Sequence, residues 1–422
     1  MRTILKKTVL RLLLLLLLFS LFSCSSTLTV PESDAEEAVL TQVITETKEI
    51  EAIEPDLLYR CGDGSELSTY RKRSREEFDL ACRHFEEEGY TLYSASEMGG
   101  TTAKTYVKGS ALAHLYYHPQ NKELNLVRSE TAADTLPPAT PVNGGGEFPC
   151  TVTQLNQHKA HFNGMGYVVQ LTDGSFILYD GGYPESADEI LAFLQSHSGG
   201  KKPVVRAWVM THLHGDHTGA FKRLAARENA AELFTLEYLI YSSLPEGNPG
   251  LEEDDADNGE RLKSLRKAVS RFPDAKMVYA HTGMQFSFCN LSMEILYAPE
   301  SLFKNLLTPE DFNNTSILSR LKDEKGSVLF TGDLGDLGAR LAVRIYGAAL
   351  ASDMVQMSHH GLNGPLAFYE EVKAATLWYP SSTSFYEEGA NKNMRKALEA
   401  SPTTREIIIA GNGQATRPFP GH

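Results

Sequence analysis

Seven consecutive residues, 211–217, hold an unusual density of side chains that bind metal ions. The segment reads Thr-His-Leu-His-Gly-Asp-His, and its metal-binding members are His212, His214, Asp216 and His217. Imidazole and carboxylate groups together suit zinc, iron or manganese. Two pairs of ligands so close in sequence can serve two adjacent ions rather than one.

The residues before this segment form a short, nearly continuous apolar run at 204–210. Such a run is typical of a strand buried on both faces, which places the histidines at the carboxyl end of that strand. Gly215 lets the chain turn tightly from there toward a helix. The alternative is a polar loop of solvated histidines, but three imidazoles clustered with a carboxylate favour a metal site.

Two later segments repeat the layout of an apolar strand that ends in a metal-binding residue. Asp333 follows the apolar residues 328–330, and His359 and His360 follow residues 354–357. Each segment is a weak signal by itself, because an aspartate after a strand often caps a helix and paired histidines often lie on the surface. Together with residues 211–217, they supply a carboxylate able to bridge two ions and a late histidine ligand.

The order of these motifs resembles that of the metallo-β-lactamase superfamily, and most of all the hydrolase domain of ComEC-type competence proteins. A looser likeness is to surface phosphorylcholine esterases. The resemblance covers residues 150–422 and implies an α/β (α+β) fold, an αββα sandwich of two sheets with helices outside. The motifs that carry it are Asp180-Gly181-Gly182, residues 211–217, Asn313-Asn314-Thr315-Ser316, Thr331-Gly332-Asp333 and His359-His360-Gly361.

The resemblance also implies a role for each ligand. The expected ligands are His212 and His214 for the first ion, Asp216 and His217 for the second, Asp333 as the bridge, and His359 to complete the second ion, with His360 as its alternative. Asp180 is expected to orient the ligand loop through hydrogen bonds.

Many members of the superfamily have one more histidine for the first ion, between the early cluster and the bridging aspartate. His281 is the only histidine of this chain in that interval. It precedes Thr282-Gly283, where the ComEC-like pattern has a turn rather than a ligand, so it is a weak candidate. Asn314 or a water molecule is the alternative for that position.

Two divalent ions, expected to be zinc with manganese or iron as alternatives, lower the pKa of a shared water to near neutrality. We expect the bridging hydroxide to attack a phosphodiester or related ester, oriented by Asp216, while His360 or Asn314 contacts the oxyanion. The sequence thus predicts a dinuclear metal-dependent hydrolase. Two alternatives stay open at this point, a hydrolase of β-lactam or lactone rings and a non-catalytic surface binding lipoprotein.

The first 23 residues have the pattern of a processing signal, with basic residues before an apolar run. Leu21-Phe22-Ser23-Cys24 resembles a bacterial lipobox, so we expect Cys24 to be lipidated and to attach the protein to a membrane. Residues 24–56 are acidic and short of aromatic residues, which predicts a flexible tether. The predicted location is extracytoplasmic, at the cell surface or in the periplasm; an ordinary secretory signal or an uncleaved anchor is the alternative.

The formal net charge of the chain is −14. Removal of residues 1–23, which carry four positive charges and no negative ones, makes it −18. An acidic protein repels nucleic-acid phosphates over long range, so long nucleic acid is disfavoured as a partner. A small or short ester or phosphodiester substrate fits this charge better.

The remaining chain divides by composition into three parts. Residues 57–130 predict a small α+β domain of unknown role, with a helix at 74–88 and four strands after it. Residues 131–149 contain four prolines and three consecutive glycines and predict a linker before the hydrolase domain, 150–422. Cys61 and Cys82 are the favoured disulfide pair, with buried free thiols as the alternative.

Overall fold

The computed structural model describes residues 54–139, 146–156, 161, 163–244, 258–303 and 312–422. Glu54–His422 form one compact unit. The predicted signal segment 1–23 and the predicted tether up to residue 53 lie outside the described residues, as does part of the linker. Within the described ranges, no helix is both long and apolar enough to cross a membrane.

An antiparallel sheet of six strands and one helix form the N-terminal part of this unit. The elements are β1 Leu57–Arg60, β2 Glu66–Arg71, α1 Arg75–Glu87, β3 Thr91–Met98, β4 Thr101–Lys108, β5 Ala111–His118 and β6 Glu123–Ser129. The sheet order is β1-β2-β6-β5-β4-β3. Ser74 caps the start of helix α1. Its hydroxyl accepts a hydrogen bond from the Glu77 amide, and the Glu77 carboxylate accepts one from the Ser74 amide. The predicted helix and four strands are present, and β1 and β2 are additional.

Fourteen further strands build two seven-stranded sheets. The first ten in chain order are β7 Thr151–Gln154, β8 Gly166–Gln170, β9 Phe176–Asp180, β10 Val204–Met210, β11 Thr235–Tyr241, β12 Lys276–Tyr279, β13 Gln285–Phe288, β14 Leu291–Tyr297, β15 Leu318–Lys322 and β16 Ser327–Phe330. The last four are β17 Met354–Gln356, β18 Thr376–Tyr379, β19 Glu406–Ile409 and β20 Ala415–Pro418. The orders are β12-β11-β10-β9-β8-β7-β20 and β13-β14-β15-β16-β17-β18-β19.

Within the described residues, eight α-helices follow or separate these strands. They are α2 Ala187–His197, α3 Gly215–Ala225, α4 Ala230–Leu233, α5 Asn258–Val269, α6 Glu300–Phe303, α7 Asp336–Tyr346, α8 Leu366–Val372 and α9 Lys392–Glu399. Strands β9 to β12 run parallel to one another, and so do β16 to β19. The carboxyl ends within each parallel group therefore lie on one edge of its sheet.

Three apolar clusters show how the layers stack. Val209 and Phe330 point into the cluster between the two seven-stranded sheets. Their neighbours Trp208 and Leu329 point outward, into separate clusters that contain side chains of helices α2 and α3 or of α7 and α8. Both central strands are thus buried on both faces, which accounts for their continuous apolar sequence. The predicted αββα sandwich is confirmed.

The N-terminal sheet packs against the turn that follows β12. His114 Nε2 donates to the Thr282 carbonyl at 3.0 Å, and Ser96 Oγ donates to the Gly283 carbonyl at 3.2 Å. Gly283 has φ +92°, and a Cβ there would lie 2.9 Å from the Ala103 Cβ. A side chain at this turn would therefore push the two parts of the unit apart. The division into separate domains at 57–130 and 150–422 stays a prediction.

The expected disulfide between Cys61 and Cys82 is wrong. Both residues are free and buried, as are Cys150 and Cys289. Cys61 follows β1 and belongs to the apolar cluster on the outer face of the first seven-stranded sheet, whereas Cys82 lies on α1. Spacing along the chain does not determine which cysteines meet, because the fold sets the distance between them.

Candidate metal centre

The fold brings the predicted ligand segments together at adjoining sheet edges. Asp180 ends β9 and residues 211–217 follow β10, while Asp333 follows β16 and the turn 358–361 follows β17. Within each pair the strands are parallel, so these segments emerge at the same edge. A backbone hydrogen bond of 2.9 Å from Ile317 to the Thr211 carbonyl joins the edge of one sheet to the other.

Four side chains form a compact cluster at this junction. One ligand atom from each of Asp216, His217, Asp333 and His360 lies within 4.8 Å of all the others. His217, Asp333 and His360 are buried, and Asp216 is partly buried. The closest approaches to Asp333 Oδ2 are 3.1 Å from His217 Nε2 and 3.4 Å from His360 Nε2. Two imidazole nitrogens thus converge on one carboxylate.

The orientation of the His217 ring is set by Asp180. His217 Nδ1 donates to Asp180 Oδ2 at 2.7 Å, since a carboxylate oxygen only accepts. The opposite atom, Nε2, is buried and has no hydrogen-bond partner, as is true of Asp333 Oδ1. Buried polar atoms without partners are costly, and a bound cation would satisfy both of these atoms.

His360 is held in the same way by a backbone carbonyl. Its Nδ1 lies 2.8 Å from the Pro380 oxygen and donates to it, which directs Nε2 into the cluster. There Nε2 lies 3.2 Å from Asp216 Oδ2. A histidine that binds a metal through one nitrogen usually donates the other N–H to an oxygen, as both His217 and His360 do.

His212 and His214 form a second pair of donors beside the cluster. The Thr211 hydroxyl donates to Asp180 Oδ2 at 2.7 Å, so it accepts from His212 Nδ1, which lies 3.3 Å away. His212 Nε2 therefore points toward His214 Nδ1, at 2.9 Å. The rings of His212 and His217 are 4.2 Å apart, which places the pair next to the four-residue cluster.

Asp180 connects these two groups of ligands. Its carboxylate accepts from the Thr211 amide and hydroxyl and from His217, and it is itself buried. The residue has φ +51°, an uncommon conformation for a non-glycine residue that persists at sites where the surroundings fix it.

Substitution of Asp180 by asparagine should weaken metal binding by roughly 10–100-fold. The asparagine amide has one accepting oxygen, whereas both oxygens of the carboxylate accept hydrogen bonds from Thr211 and His217. Zinc affinity measured by competition with a chromophoric chelator tests this. Asp173→Asn is the matched control, since Asp173 precedes the same strand and pairs with Arg206 instead. Equal zinc affinity in wild type and Asp180→Asn would contradict this role.

The two neighbouring histidines of the 358–361 turn are placed differently. His359 Nε2 is 3.9 Å from Asp333 Oδ2, outside the four-residue cluster, and the His359 side chain is 25% exposed. His360 is 1% exposed and within the cluster. Both have left-handed backbone, with φ 48° and 58°, and this turn decides which ring points inward. The geometry departs from the sequence expectation, which assigned the ligand role to His359.

The asparagine pair is also placed differently from the expectation. Asn314 Oδ1 accepts a hydrogen bond of 3.3 Å from the amide of Gly338, so its side chain is bound to helix α7. Asn313 Nδ2 lies 3.5 Å from His359 Nε2. Asn313 therefore lies beside His359, whereas the side chain of Asn314, the residue that the sequence analysis favoured, is hydrogen-bonded to helix α7.

His281 lies apart from the described cluster. Its Nδ1 is 3.7 Å from Glu300 Oε1 and its Nε2 is 3.9 Å from Asp63 Oδ2, in the loop after β1. Ser65 Oγ is 3.4 Å from the same nitrogen. His281 contributes to a buried contact between the N-terminal sheet and β12, and it is not brought to His212 and His214.

Sequence reasoning missed two residues that hold Asp216. Asn163 Nδ2 donates to Asp216 Oδ2 at 3.1 Å, and the Tyr183 hydroxyl donates to Asn163 Oδ1 at 3.1 Å. Asn163 comes from the loop before β8, far from Asp216 in sequence. The only local signal is the turn-forming pair Asn163-Gly164, which gives no indication of a partner.

The carboxylates of the cluster shift the pKa of the histidines beside them. Burial lowers the pKa of His360, but the Asp333 and Asp216 carboxylates outweigh it and raise the pKa to about 9. Burial likewise opposes charge on His217, yet Asp333 and Asp180 raise its pKa well above the usual value. Burial, His217 and His214 together hold the pKa of His212 well below the usual value, so His212 is a neutral imidazole. The buried carboxylates thus favour positive charge beside them, which a bound cation would also supply.

These donors fit one or two divalent cations. The atoms available are imidazole nitrogens and carboxylate oxygens, which suit zinc, iron and manganese. Buried His217 Nε2 and Asp333 Oδ1, without hydrogen-bond partners, face a position that a cation satisfies. The histidines are oriented by second hydrogen bonds, as metal-binding histidines are.

Comparison with known proteins gives the same fold. Residues 162–364 match the family model described as the metallo-beta-lactamase superfamily. No curated protein matches the chain significantly. Among solved structures, the metallo-beta-lactamase fold protein YhfI from Bacillus subtilis is 15% identical, with a TM-score of 0.40, over 64% of this chain and 100% of that chain.

Two further solved structures are similar at the same low identity. Zn²⁺-bound PqqB from Methylobacterium extorquens is 13% identical, with a TM-score of 0.39, over 64% of this chain and 100% of that one. CmlA, a diiron β-hydroxylase from Streptomyces venezuelae, is 11% identical, with a TM-score of 0.39, over 64% of this chain and 54% of that one. The matched residues, 162–364, are just under half of the chain, and members of the metallo-β-lactamase superfamily are generally metal-dependent hydrolases.

Proposed function

We propose that the protein is a membrane-tethered, extracytoplasmic phosphodiesterase or related esterase that uses two divalent ions, with zinc as the first choice. The observation that carries this proposal is the junction of two donor groups. The His212–His214 pair lies beside the cluster of Asp216, His217, Asp333 and His360. These six residues offer more ligands than the roughly four that one structural zinc ion requires.

In the proposed arrangement His212 and His214 would hold the first ion. Asp216, His217 and His360 would hold the second, and Asp333 would be available to both. His360 takes the role that the sequence had favoured for His359, because its Nε2 lies among the carboxylates and its other nitrogen is fixed by Pro380.

Bound divalent ions would lower the pKa of a water molecule and stabilise the attacking and leaving oxygens of an ester. The residues of the chain position this chemistry. Asn163 holds Asp216 by a hydrogen bond to Oδ2, so this carboxylate keeps one orientation. The partly exposed imidazole of His359 lies at the edge of the cluster, beside Asn313, where it can donate to a substrate oxygen.

Turnover by the purified full chain tests the proposal. We expect hydrolysis of bis-p-nitrophenyl phosphate after loading with zinc or manganese, loss on chelation, and recovery when the metal is returned. His212→Ala should abolish turnover, whereas His197→Ala, which changes an exposed histidine at the end of α2, should not.

Two other outcomes would each contradict the proposal. Turnover of a chromogenic cephalosporin without diester hydrolysis would assign the site to β-lactam rings. Metal binding without turnover of either substrate would leave a non-catalytic binding protein.

The membrane tether is proposed from the sequence of residues 1–56 alone. Its support is the basic and apolar start of the chain and the lipobox-like Leu21-Phe22-Ser23-Cys24. We expect Cys24→Ser to release the protein from the membrane fraction of the producing cell and to remove incorporation of labelled palmitate. Unchanged membrane association with no labelling in the wild type would indicate an uncleaved anchor instead.

A further inference from the structure

A groove with cationic walls lies between helices α3 and α5, in the helix layer outside the first seven-stranded sheet. Its volume is about 400 Å³, which is within the range of sites that hold small molecules. Three cations, Lys222, Lys267 and Arg271, line the groove, with Ser264 and small alanine side chains between them. Positive charge is thus concentrated around one opening of the protein surface.

Helix α5 and the turn after it are strongly basic. Residues 258–271 contain five positive charges and one negative charge, a net charge of +4. Lys263, Lys267 and Arg271 recur every four residues, so they lie along one side of the helix and its turn. The opposite side is apolar and buried, with Leu262 in the core. A helix with one apolar and one basic side is typical of proteins that lie on membranes.

Carboxylates do not cancel these positive charges. Arg223 and Lys267 are exposed, and neither forms an ion pair with a residue that the structure describes. Arg271 donates to two backbone carbonyls, which carry no net charge. Lys263 pairs with Glu260 at 3.3 Å, but both side chains are more than 70% exposed, and such a pair is weak. The cations therefore remain available to an anionic partner.

The rest of the chain makes this basic face distinctive. The whole chain has a net charge of −14, which opposes association with an anionic surface at long range. The helices of the opposite outer layer, α7 to α9, carry five basic and four acidic residues and are nearly balanced. Salt screens charges beyond about 8 Å, so at contact the nearest residues dominate. An anionic surface should thus bind the α3–α5 face in preference to the others.

We propose that the face formed by α3 and α5 docks on a membrane of anionic phospholipids, with lipid phosphate groups in the groove. Each lysine or arginine close to such a surface is attracted to it. Within the groove, Lys267 and Arg271 supply N–H donors for a phosphate. A membrane fits better than a single soluble anion, because the cations continue beyond the groove to Arg223 and Lys263.

Docking through this face also orients the metal centre. Helix α3 carries Asp216 and His217 in its first turn, and Lys222 lies five residues further, about 7.5 Å along the helix axis. The metal-binding residues are therefore held close to the lipid headgroups. This docking goes beyond the proposed function, since it requires neither hydrolysis nor a lipid on Cys24.

Vesicle binding by the purified full chain tests the docking face. Sedimentation at physiological ionic strength gives the partition coefficient for vesicles of phosphatidylcholine alone and for vesicles that also contain phosphatidylglycerol. We expect the wild type to prefer the anionic vesicles and to lose this preference at high salt. Each cation near an anionic surface contributes roughly a factor of five. The triple variant Arg223→Gln/Lys263→Gln/Lys267→Gln should therefore lower the preference at least about tenfold.

The matched control removes three positive charges from the opposite layer, as Arg340→Gln/Lys392→Gln/Lys396→Gln. All six positions of the two variants are exposed, so circular dichroism should show an unchanged fold in both. The two variants have the same net charge and the same basic residues at 1–23, so the control should keep the preference for anionic vesicles.

Three results would overturn the proposal. A wild type without preference for anionic vesicles, or an equal loss of preference in both triple variants, would make the basic side of α5 an ordinary solvated helix face. Unchanged vesicle binding in the α3–α5 variant, with weakened binding of a DNA duplex, would assign the face to nucleic acid instead.

Discussion

Asp333→Asn should lower diester hydrolysis by at least about 10³-fold, because it removes the buried carboxylate that lies nearest to His217 Nε2 and that also faces His360 Nε2. Its Oδ2 lies 3.1 Å from His217 Nε2 and 3.4 Å from His360 Nε2, and its Oδ1 is buried without a hydrogen-bond partner. Metal ions contribute several kcal/mol to transition-state stabilisation, and each 1.36 kcal/mol corresponds to a tenfold change in rate. Loss of the carboxylate that we propose to serve both ions is therefore expected to remove several powers of ten.

The measurement is kcat/KM for bis-p-nitrophenyl phosphate together with metal content. The amide has the same shape as the carboxylate, so circular dichroism should show an unchanged fold. Asp336→Asn is the control, since Asp336 lies three residues later at the start of α7 and its side chain is 59% exposed. Full activity with two equivalents of metal in Asp333→Asn would exclude Asp333 as a ligand.

His360→Gln should lose the second metal ion, whereas His359→Gln should keep it. His360 is 1% exposed with its Nε2 between Asp216 and Asp333, while His359 is 25% exposed with its Nε2 3.9 Å from Asp333. Loss of a group that merely orients a ligand costs about 10–100-fold in affinity, and we expect loss of the ligand itself to cost at least that. Metal content by elemental analysis and zinc affinity distinguish the two variants.

The protonation of His360 gives an independent measurement of the same assignment. The carboxylates beside it raise its pKa to about 9, so below that pH the metal-free protein holds a proton on this ring. A metal ligand must be deprotonated, so zinc binding near pH 7 should release this proton, and the release should disappear as the pH rises through about 9.

Calorimetry in buffers of different ionisation enthalpy counts the protons. His360→Gln should release one fewer proton than wild type near pH 7, and His359→Gln should release the same number as wild type. The opposite pattern would return the ligand role to His359.

Much of the metal centre was predictable because its parts are local in sequence. Residues 211–217 follow a strand whose side chains are buried on both faces, and Asp333 has the same relation to β16. The carboxyl ends of such strands are where an αββα sandwich exposes its loops, so apolar runs ending in metal-binding residues predict both the fold and the edge. The resemblance to a known family added Asp180.

The choice between adjacent residues was not predictable. His359 and His360 have the same side chain, and only their left-handed backbone, with φ 48° and 58°, decides which ring meets the carboxylates. Asn313 and Asn314 differ for a similar reason, because the side chain of Asn314 accepts a hydrogen bond from helix α7. Neighbouring residues point in different directions, and a sequence pattern does not give the direction.

The sequence by itself indicated the type of chemistry, since several histidines and aspartates clustered after buried strands are suited to binding divalent cations. Tertiary structure alone decided which atoms converge. Asn163 and His360 both reach Asp216 across large separations in the chain. Such contacts depend on how sheets and helices pack, and packing is set by the summed burial of many side chains rather than by any local motif.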